Sequence, residues 1–309
     1  MNIASIDIGS NTVLLLIAEY NETTKEMKTI LNSYKMPRIS KGLKVTGFIS
    51  DEKITELLKV LEEYNNVIKE NNCETVILKA TNAMRIAENS STIVKTVKEK
   101  FNFDIDVVPG EEEARLSFIG ASSAVEDKGN KIVIDIGGGS TEIIYGNNKE
   151  IIYRKSFEHG AVSLTEKFVN GYPVNNEAVN KINDELDELF ADLKRENFHT
   201  DICIAVAGTP TTLSCMNLGE KEYSDEKIEG SHLSSDNLSG LIKTLKTLVP
   251  SEILEKFGQV VTGREDVILS GALILSKLTA IMNLEEIIVS AKGIRYGAVI
   301  DYVGQFKRT

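Results

Sequence analysis

Ile6-Asp7-Ile8-Gly9-Ser10-Asn11-Thr12 stands near the start of the chain, and Ile134-Asp135-Ile136-Gly137-Gly138-Gly139-Ser140-Thr141 repeats its pattern further on. Each begins as a short apolar run carrying one Asp, breaks at glycine and hydroxyl residues, and passes into a second apolar run, Val13 to Ala18 or Thr141 to Tyr145. That pattern predicts two buried strands joined by a tight turn, a hairpin and not a strand-to-helix connection. Two copies of one supersecondary unit predict two related lobes.

The rest of the chain alternates strands and helices. Ser50 caps a helix with Asp51 and Glu52 in its first turn and Ile54, Leu57, Leu58, Leu61 and Ile68 on one face. A strand at Val76–Leu78, a helix at Ser91–Lys100, a strand at Ile105–Val108 and a helix from Glu111 to about Ala124 follow. The polar segment Glu126-Asp127-Lys128-Gly129-Asn130 is the best candidate junction. Beyond the second hairpin come an amphipathic helix through Val179, Ile182, Leu186, Leu189, Phe190 and Leu193, and a strand at Ile202–Val206. A helix from Asp266 to Met282, a strand at Ile287–Val289 and a closing helix from Tyr296 to Gln305 complete the chain. This order is that of an α/β protein. We expect one domain over residues 1–124 and a second over 125–309, with a C-terminal helix, about 298–309, able to pack back on the first.

Composition narrows the functions. At 309 residues, with 42% hydrophobic and 26% charged residues, the chain has the make-up of a globular protein of two domains. The early apolar run lacks a basic flank, which argues against a signal peptide, and the stretch Val267 to Leu284 is interrupted by Lys277 and reads as a buried helix. No membrane partner is expected. Cys73, Cys203 and Cys215 form no CxxC pair, which suits free thiols in a reducing cytoplasm. His159, His199 and His232 are scattered and suggest neither a zinc site nor a triad. The formal net charge of −11 argues against sequence-independent nucleic-acid binding.

The two hairpin turns carry the chemistry. Glycine after a buried strand lets a ligand approach the backbone, and successive N–H groups turned one way form an anion nest. Gly9, Ser10, Asn11 and Thr12 in the first turn, and Gly137, Gly138, Gly139, Ser140 and Thr141 in the second, are therefore candidate phosphate-binding residues. Asp7 belongs with the first, although a carboxylate cannot face a bare phosphate. A Mg²⁺ ion, with Mn²⁺ as the alternative, or water bound to it, sitting between the Asp of each turn and the phosphate resolves that conflict, and Glu142 is placed to supply a further carboxylate to the same ion. Ala207-Gly208-Thr209-Pro210-Thr211-Thr212 reads as a third small, hydroxyl-rich turn at a strand end and adds Gly208 and Thr209. The chain contains no Gly-Lys dipeptide, so no Walker A loop is present. Lys35, Arg38, Lys41 and Lys44 form a basic stretch that is either a solvated loop or a rim guiding a polyanion. Arg264, Lys292 and Arg295 are weaker candidates for that rim.

Further motifs point to a family. Ala80-Thr81-Asn82-Ala83-Met84-Arg85 with Asn89, Gly110-Glu111-Glu112-Glu113-Ala114-Arg115-Leu116 and Gly160-Ala161-Val162 join the two Asp-Ile-Gly turns. So do Ala207-Gly208-Thr209, Arg264-Glu265-Asp266-Val267-Ile268 and Gly293-Ile294-Arg295-Tyr296-Gly297. With these the chain resembles the Ppx/GppA family, exopolyphosphatases and guanosine pentaphosphate phosphohydrolases, within the sugar kinase, Hsp70 and actin superfamily. The resemblance implies two actin-like, ribonuclease H-like α/β domains with an interdomain cleft, and removal of a terminal phosphate from inorganic polyphosphate or from guanosine pentaphosphate (pppGpp). It implies that Glu113 is the catalytic carboxylate, Arg85 a substrate-binding residue, and Asp135 and Glu142 the metal-associated acids. It also implies a homodimer as one possible assembly. From spacing alone Glu113 reads as one of several acids complementing a helix dipole. Larger family members carry a C-terminal helical domain that is expected to be missing here, which favours short polyphosphate. Ala291 stands where many members have Asp. The rival readings are a superfamily kinase and a non-hydrolytic nucleotide or alarmone sensor.

Overall fold

The computed structural model describes residues 1–126, 129–196, 198–200 and 202–304. The chain divides into two compact α/β units, one formed by Met1–Gly120 with the C-terminal segment from Ile294, the other by Ala121–Gly293. Asp127 and Lys128 of the expected junction, Gln305 of the expected closing helix, and the rest of residues 305–309 lie outside the described residues.

The first unit is built on strands β1 (Asn2–Ile8), β2 (Val13–Tyr20), β3 (Met27–Lys35), β4 (Thr75–Ala80) and β5 (Ile105–Val107), in the sheet order β3-β2-β1-β4-β5. β1 pairs antiparallel with β2 and parallel with β4. Its side chains alternate between two cores, as a strand covered on both faces requires. Ala4, Ile6 and Ile8 pack with Leu57, Leu61 and Tyr64 of the helix Asp51–Glu70. Ile3 faces the other way, joining Leu16, Ala18 and Tyr20 beneath Tyr296 and Val299 of the helix Ile294–Tyr302. Ser50 caps the 51–70 helix as expected, its hydroxyl accepting from the Lys53 N–H.

The second unit repeats the plan. Strands β6 (Lys131–Ile136), β7 (Thr141–Gly146), β8 (Ile151–Phe157), β9 (Cys203–Val206), β10 (Ser231–Ser234) and β11 (Glu286–Val289) form a sheet in the order β10-β11-β9-β6-β7-β8. Apart from the added edge strand β10, this is the first sheet again: an antiparallel β8-β7-β6 meander continued by parallel β9 and β11. Ile132, Ile134 and Ile136 lie in a core with Leu164, Ile182, Leu186 and the buried face of the helix Ile268–Ile281. Lys277, the charge interrupting that apolar helix, pairs with Asp187 at 2.6 Å. The α/β class and the actin-like plan read from the sequence are those of the folded chain.

Several elements depart from the sequence reading. β3 and β8 were not anticipated; both are outer strands with half-exposed, mixed-polarity sequences and a weak alternation signal. The amphipathic run ending at Leu193 is not one helix. Asn176–Leu189 is helical, and Ala191–Arg195 continues as a 3₁₀ turn after Phe190. The hydroxyl-rich run after Ala207 is not a turn but the start of a helix, Gly208–Leu218. Among the described residues no helix is long and apolar enough to cross a membrane, and the three cysteines are free.

Candidate active site

In the first unit the candidate side chains gather where β1, β4 and β5 end. Carboxyl ends of adjacent parallel strands are where such sheets open a crevice for ligands. The β1–β2 turn closes through the Gly9 N–H to the Thr12 carbonyl at 3.0 Å. A Cβ on Gly9 would lie 3.1 Å from that same carbonyl oxygen, which explains the glycine.

The orientation of the turn's peptides is set from outside. The Asn11 carbonyl accepts the Arg38 N–H at 3.0 Å, and the Ser10 carbonyl accepts the Ser40 N–H at 3.0 Å. In a trans peptide plane C=O and N–H point opposite ways. Tying these two carbonyls to the 38–40 segment therefore turns the N–H groups of Asn11 and Thr12 to the other side, as an anion nest requires. Within this turn Ser10 is 4% exposed, and its Oγ is shielded from water and takes no hydrogen bond among the described residues. A buried hydroxyl in that state costs free energy unless a ligand completes it.

The second turn uses the same device with a different tether. The Gly137 N–H bonds the Ser140 carbonyl at 3.0 Å, as Gly9 bonds Thr12. The helix Ala161–Phe168 then ties the outward carbonyls: Ala161 N–H to Gly137 O at 3.0 Å, with Val162 and Ser163 N–H to Gly138 O at 2.8 and 3.1 Å. The N–H groups of Gly138 and Gly139 are thereby presented on the opposite side. Gly160 makes the approach possible, because a Cβ there would lie 2.5 Å from the Gly137 oxygen and 2.6 Å from the Gly138 carbonyl carbon.

Register explains why the two hairpins differ chemically. Asp7 stands opposite Leu14 across β1 and β2, whereas Asp135 stands opposite Glu142 across β6 and β7. Directly opposed residues share a face of the sheet, so the second unit brings two carboxylates together where the first has one. Asp135 is 8% exposed and Glu142 fully buried, with Glu142 Oε1 accepting the Ser156 hydroxyl at 2.6 Å. Among the described residues no group of three or more His, Cys, Asp or Glu is placed to hold a metal. Two carboxylates completed by water and substrate phosphate is nevertheless the donor set that suits Mg²⁺.

Arg85 and Glu113 come together from two elements. Arg85 closes the short helix Asn82–Ile86 after β4, and Glu113 lies in the first turn of the helix Gly110–Ser122 after β5. Arg85 Nη1 donates to Glu113 Oε2 at 2.8 Å and to the Val108 carbonyl at 2.8 Å. Glu113 is 8% exposed, unlike Glu111 and Glu112 beside it. Arg115, in the same motif, does something else. Its guanidinium bridges both oxygens of Glu112 and both of Asp301 at 2.8–2.9 Å, which holds its pKa well above the usual arginine value.

The remaining sequence candidates are placed as follows. The Thr141 hydroxyl donates to the His159 carbonyl at 2.8 Å, so its proton is committed there. Gly208 opens its helix directly behind Ala207, which is held at φ 74° and ψ −174°, a conformation otherwise confined to glycine. A Cβ on Gly208 would lie 2.6 Å from the Arg264 guanidinium, and Thr209 packs against Gly271. Lys35 pairs with Glu63 at 2.7 Å, and Lys292 lies 3.9 Å from Glu229. Sequence reading missed the tethering roles of Arg38, Ser40 and Ala161–Ser163, and the Ser156 contact to Glu142. Tethers act through backbone N–H groups, which no residue type announces.

Compared with models of known families, residues 16–306 match the Ppx/GppA phosphatase family. The chain belongs to that family. It is 34% identical to a bifunctional 3-dehydroquinate synthase/phosphatase of Fusobacterium nucleatum, covering 97% of this chain and 46% of that longer one. It thus spans about half the length of that relative. It is 27% identical to exopolyphosphatase 2 of Mycobacterium tuberculosis, over 98% of both chains. The crystal structure of an exopolyphosphatase from Cytophaga hutchinsonii superposes with a TM-score of 0.91 at 26% identity, covering 99% of each chain. Membership of the Ppx/GppA family makes the chain one of the hydrolases acting on phosphoanhydride bonds.

Proposed function

We propose that this chain is an exopolyphosphatase, removing the terminal phosphate from inorganic polyphosphate with Mg²⁺, and that short chains are its first substrates. The observation that carries the reading is the buried Glu113 carboxylate, fixed at Oε2 by Arg85 in the unit that holds the Ser10 turn. Two relatives bearing the name exopolyphosphatase, each matched over nearly their whole length, support polyphosphate as substrate class.

Phosphoryl transfer is mostly positioning and charge neutralisation. In the first unit the N–H groups of Asn11 and Thr12, with the Ser10 hydroxyl, are donors for phosphate oxygens, and in the second unit the N–H groups of Gly138 and Gly139 are donors of the same kind. Arg85 keeps Glu113 in one orientation. Glu113 takes a proton from water as the water oxygen bonds to the terminal phosphorus, and the bridging P–O bond breaks to leave the shortened chain. Asp135 and Glu142 would hold Mg²⁺, which would supply neutralisation of phosphate charge. Asp7 supports the first turn.

The same chemistry would cut the 5′ γ-phosphate of pppGpp, so substrate choice is an arm of the test. Phosphate release is measured from short polyphosphate, long polyphosphate and pppGpp, with and without Mg²⁺, for the native chain and Glu113→Gln. Release from polyphosphate that needs Mg²⁺ and drops at least about a hundredfold in Glu113→Gln is expected. Preferential release from pppGpp moves the substrate assignment to that alarmone. Near-native turnover in Glu113→Gln removes Glu113 as the base, and tight binding without any release favours a sensor.

A further inference from the structure

Arg38 departs from what its residue type favours. Its φ is +52°, in the left-handed region. For a side chain with a Cβ that costs about 1–2 kcal/mol, which glycine avoids and asparagine tolerates. The position is rigidly imposed. Pro37 and Ile39 on either side are buried, the Lys41 N–H returns to the Arg38 carbonyl at 3.1 Å, and the Arg38 N–H reaches the Asn11 carbonyl. A strained residue pressed against a ligand-binding turn is a reason to look for a function in its side chain.

The comparison of the two units gives that function a sign. The 38–40 segment does for the Ser10 turn what Ala161–Ser163 does for the Gly138 turn, each donating backbone N–H groups to the turn's outward carbonyls. The second tether carries no cation, and its hairpin instead opposes Asp135 to Glu142. The first hairpin opposes Asp7 to Leu14, so it lacks the paired acids that recruit a metal, and its tether carries a guanidinium. The Arg38 side chain is half-buried, with Nε shielded from water.

We propose that Arg38 is a phosphate-binding residue, its guanidinium neutralising a phosphate group seated on the Ser10–Asn11 turn, the part that a metal held by Asp135 and Glu142 would play at the second turn. The planar fork of arginine matches two phosphate oxygens, which explains why neither glycine nor lysine replaces it here. The inference rests on the exopolyphosphatase reading and adds a residue to it.

The test measures calorimetric binding of inorganic tripolyphosphate with Mg²⁺, and thermal melting, for the full chain and for Arg38→Gly, Arg38→Ala and Arg38→Lys. Losing a charged hydrogen bond predicts roughly ten- to hundredfold weaker binding in Arg38→Gly and Arg38→Ala, with Arg38→Lys between them and the native chain. Arg38→Gly relieves the left-handed strain, so it is expected to melt at or above the native temperature, and Arg38→Ala below Arg38→Gly. A purely structural Arg38 predicts the reverse, a lower melting temperature in Arg38→Gly with native binding, and that result overturns the proposal. If the native chain binds no tripolyphosphate, the exopolyphosphatase reading falls and Arg38 with it. Native binding kept by Arg38→Gly sinks the Arg38 assignment alone.

Discussion

Arg85 donates through one nitrogen, Nη1, both to Glu113 Oε2 and to the Val108 carbonyl, so the carboxylate is tied to the backbone leaving β5. Glu113 is nearly buried, and removing its cation leaves an uncompensated charge, which typically costs more than the pair contributes. Arg85 is about a quarter exposed, which moderates the penalty. Arg85→Gln is therefore expected to destabilise the fold by about 2–3 kcal/mol. Adding Glu113→Gln should recover part of that loss in urea unfolding without restoring phosphate release. A double variant no more stable than Arg85→Gln would show that the pair is not coupled.

The two Asp-Ile-Gly hairpins were legible in the sequence because strand, glycine and hydroxyl signals coincide in four residues and occur twice. Glu113 was legible only through its motif. Spacing alone placed it among Glu111 and Glu112, and burial distinguishes it only once the helix Gly110–Ser122 packs. Arg115 illustrates the opposite limit, since its partner Asp301 lies far along the chain and no local pattern joins them. The misreading of Ala207–Thr212 as a turn has a physical cause as well. Threonine and proline at a helix start resemble turn chemistry, and the strained Ala207 provides the abrupt entry to the helix.

Gly160 allows the second turn's carbonyls to reach the helix Ala161–Phe168, and a methyl group there meets backbone atoms that cannot swing aside. Gly160→Ala is expected to cost about 1–3 kcal/mol by overpacking. It should also displace the N–H groups of Gly138 and Gly139. The distinguishing outcome is kinetic: KM for polyphosphate rises well below the melting temperature. Native KM with a lowered melting temperature would confine Gly160 to packing.

Arg115 and Gly297 join the helices Gly110–Ser122 and Ile294–Tyr302 without belonging to the site. The guanidinium links Glu112 to Asp301, and Gly297 passes so near the Leu116 carbonyl that a Cβ would overlap it. Arg115→Gln is expected to lower stability by about 2–3 kcal/mol, and Gly297→Ala by a similar ~1–3 kcal/mol. Both should keep substantial phosphate release when assayed well below their melting points. Loss of turnover in a fully folded Arg115→Gln would instead make Arg115 a positioning residue for Glu113.

Tyr64 sets an alkaline limit on the first unit. Its hydroxyl donates to the Val13 carbonyl at 2.9 Å, immediately after the first turn, and burial pushes its pKa up to about 12 from an ordinary value of 10.0. The folded value exceeds the unfolded one, so this stabilising contribution is fully present below about pH 10 and is lost as pH rises through 12. The loss amounts to roughly 3 kcal/mol, from two pKa units at ~1.4 kcal/mol each. Tyr64→Phe gives up the hydrogen bond, a loss of about 1 kcal/mol at neutral pH, but has no phenol to ionise. Its stability is therefore expected to start lower and fall less steeply between pH 10 and 12, so that the two unfolding curves converge or cross. Urea unfolding at pH 8, 10 and 11 checks this, and parallel curves over that range would mean that Tyr64 ionises as readily folded as unfolded.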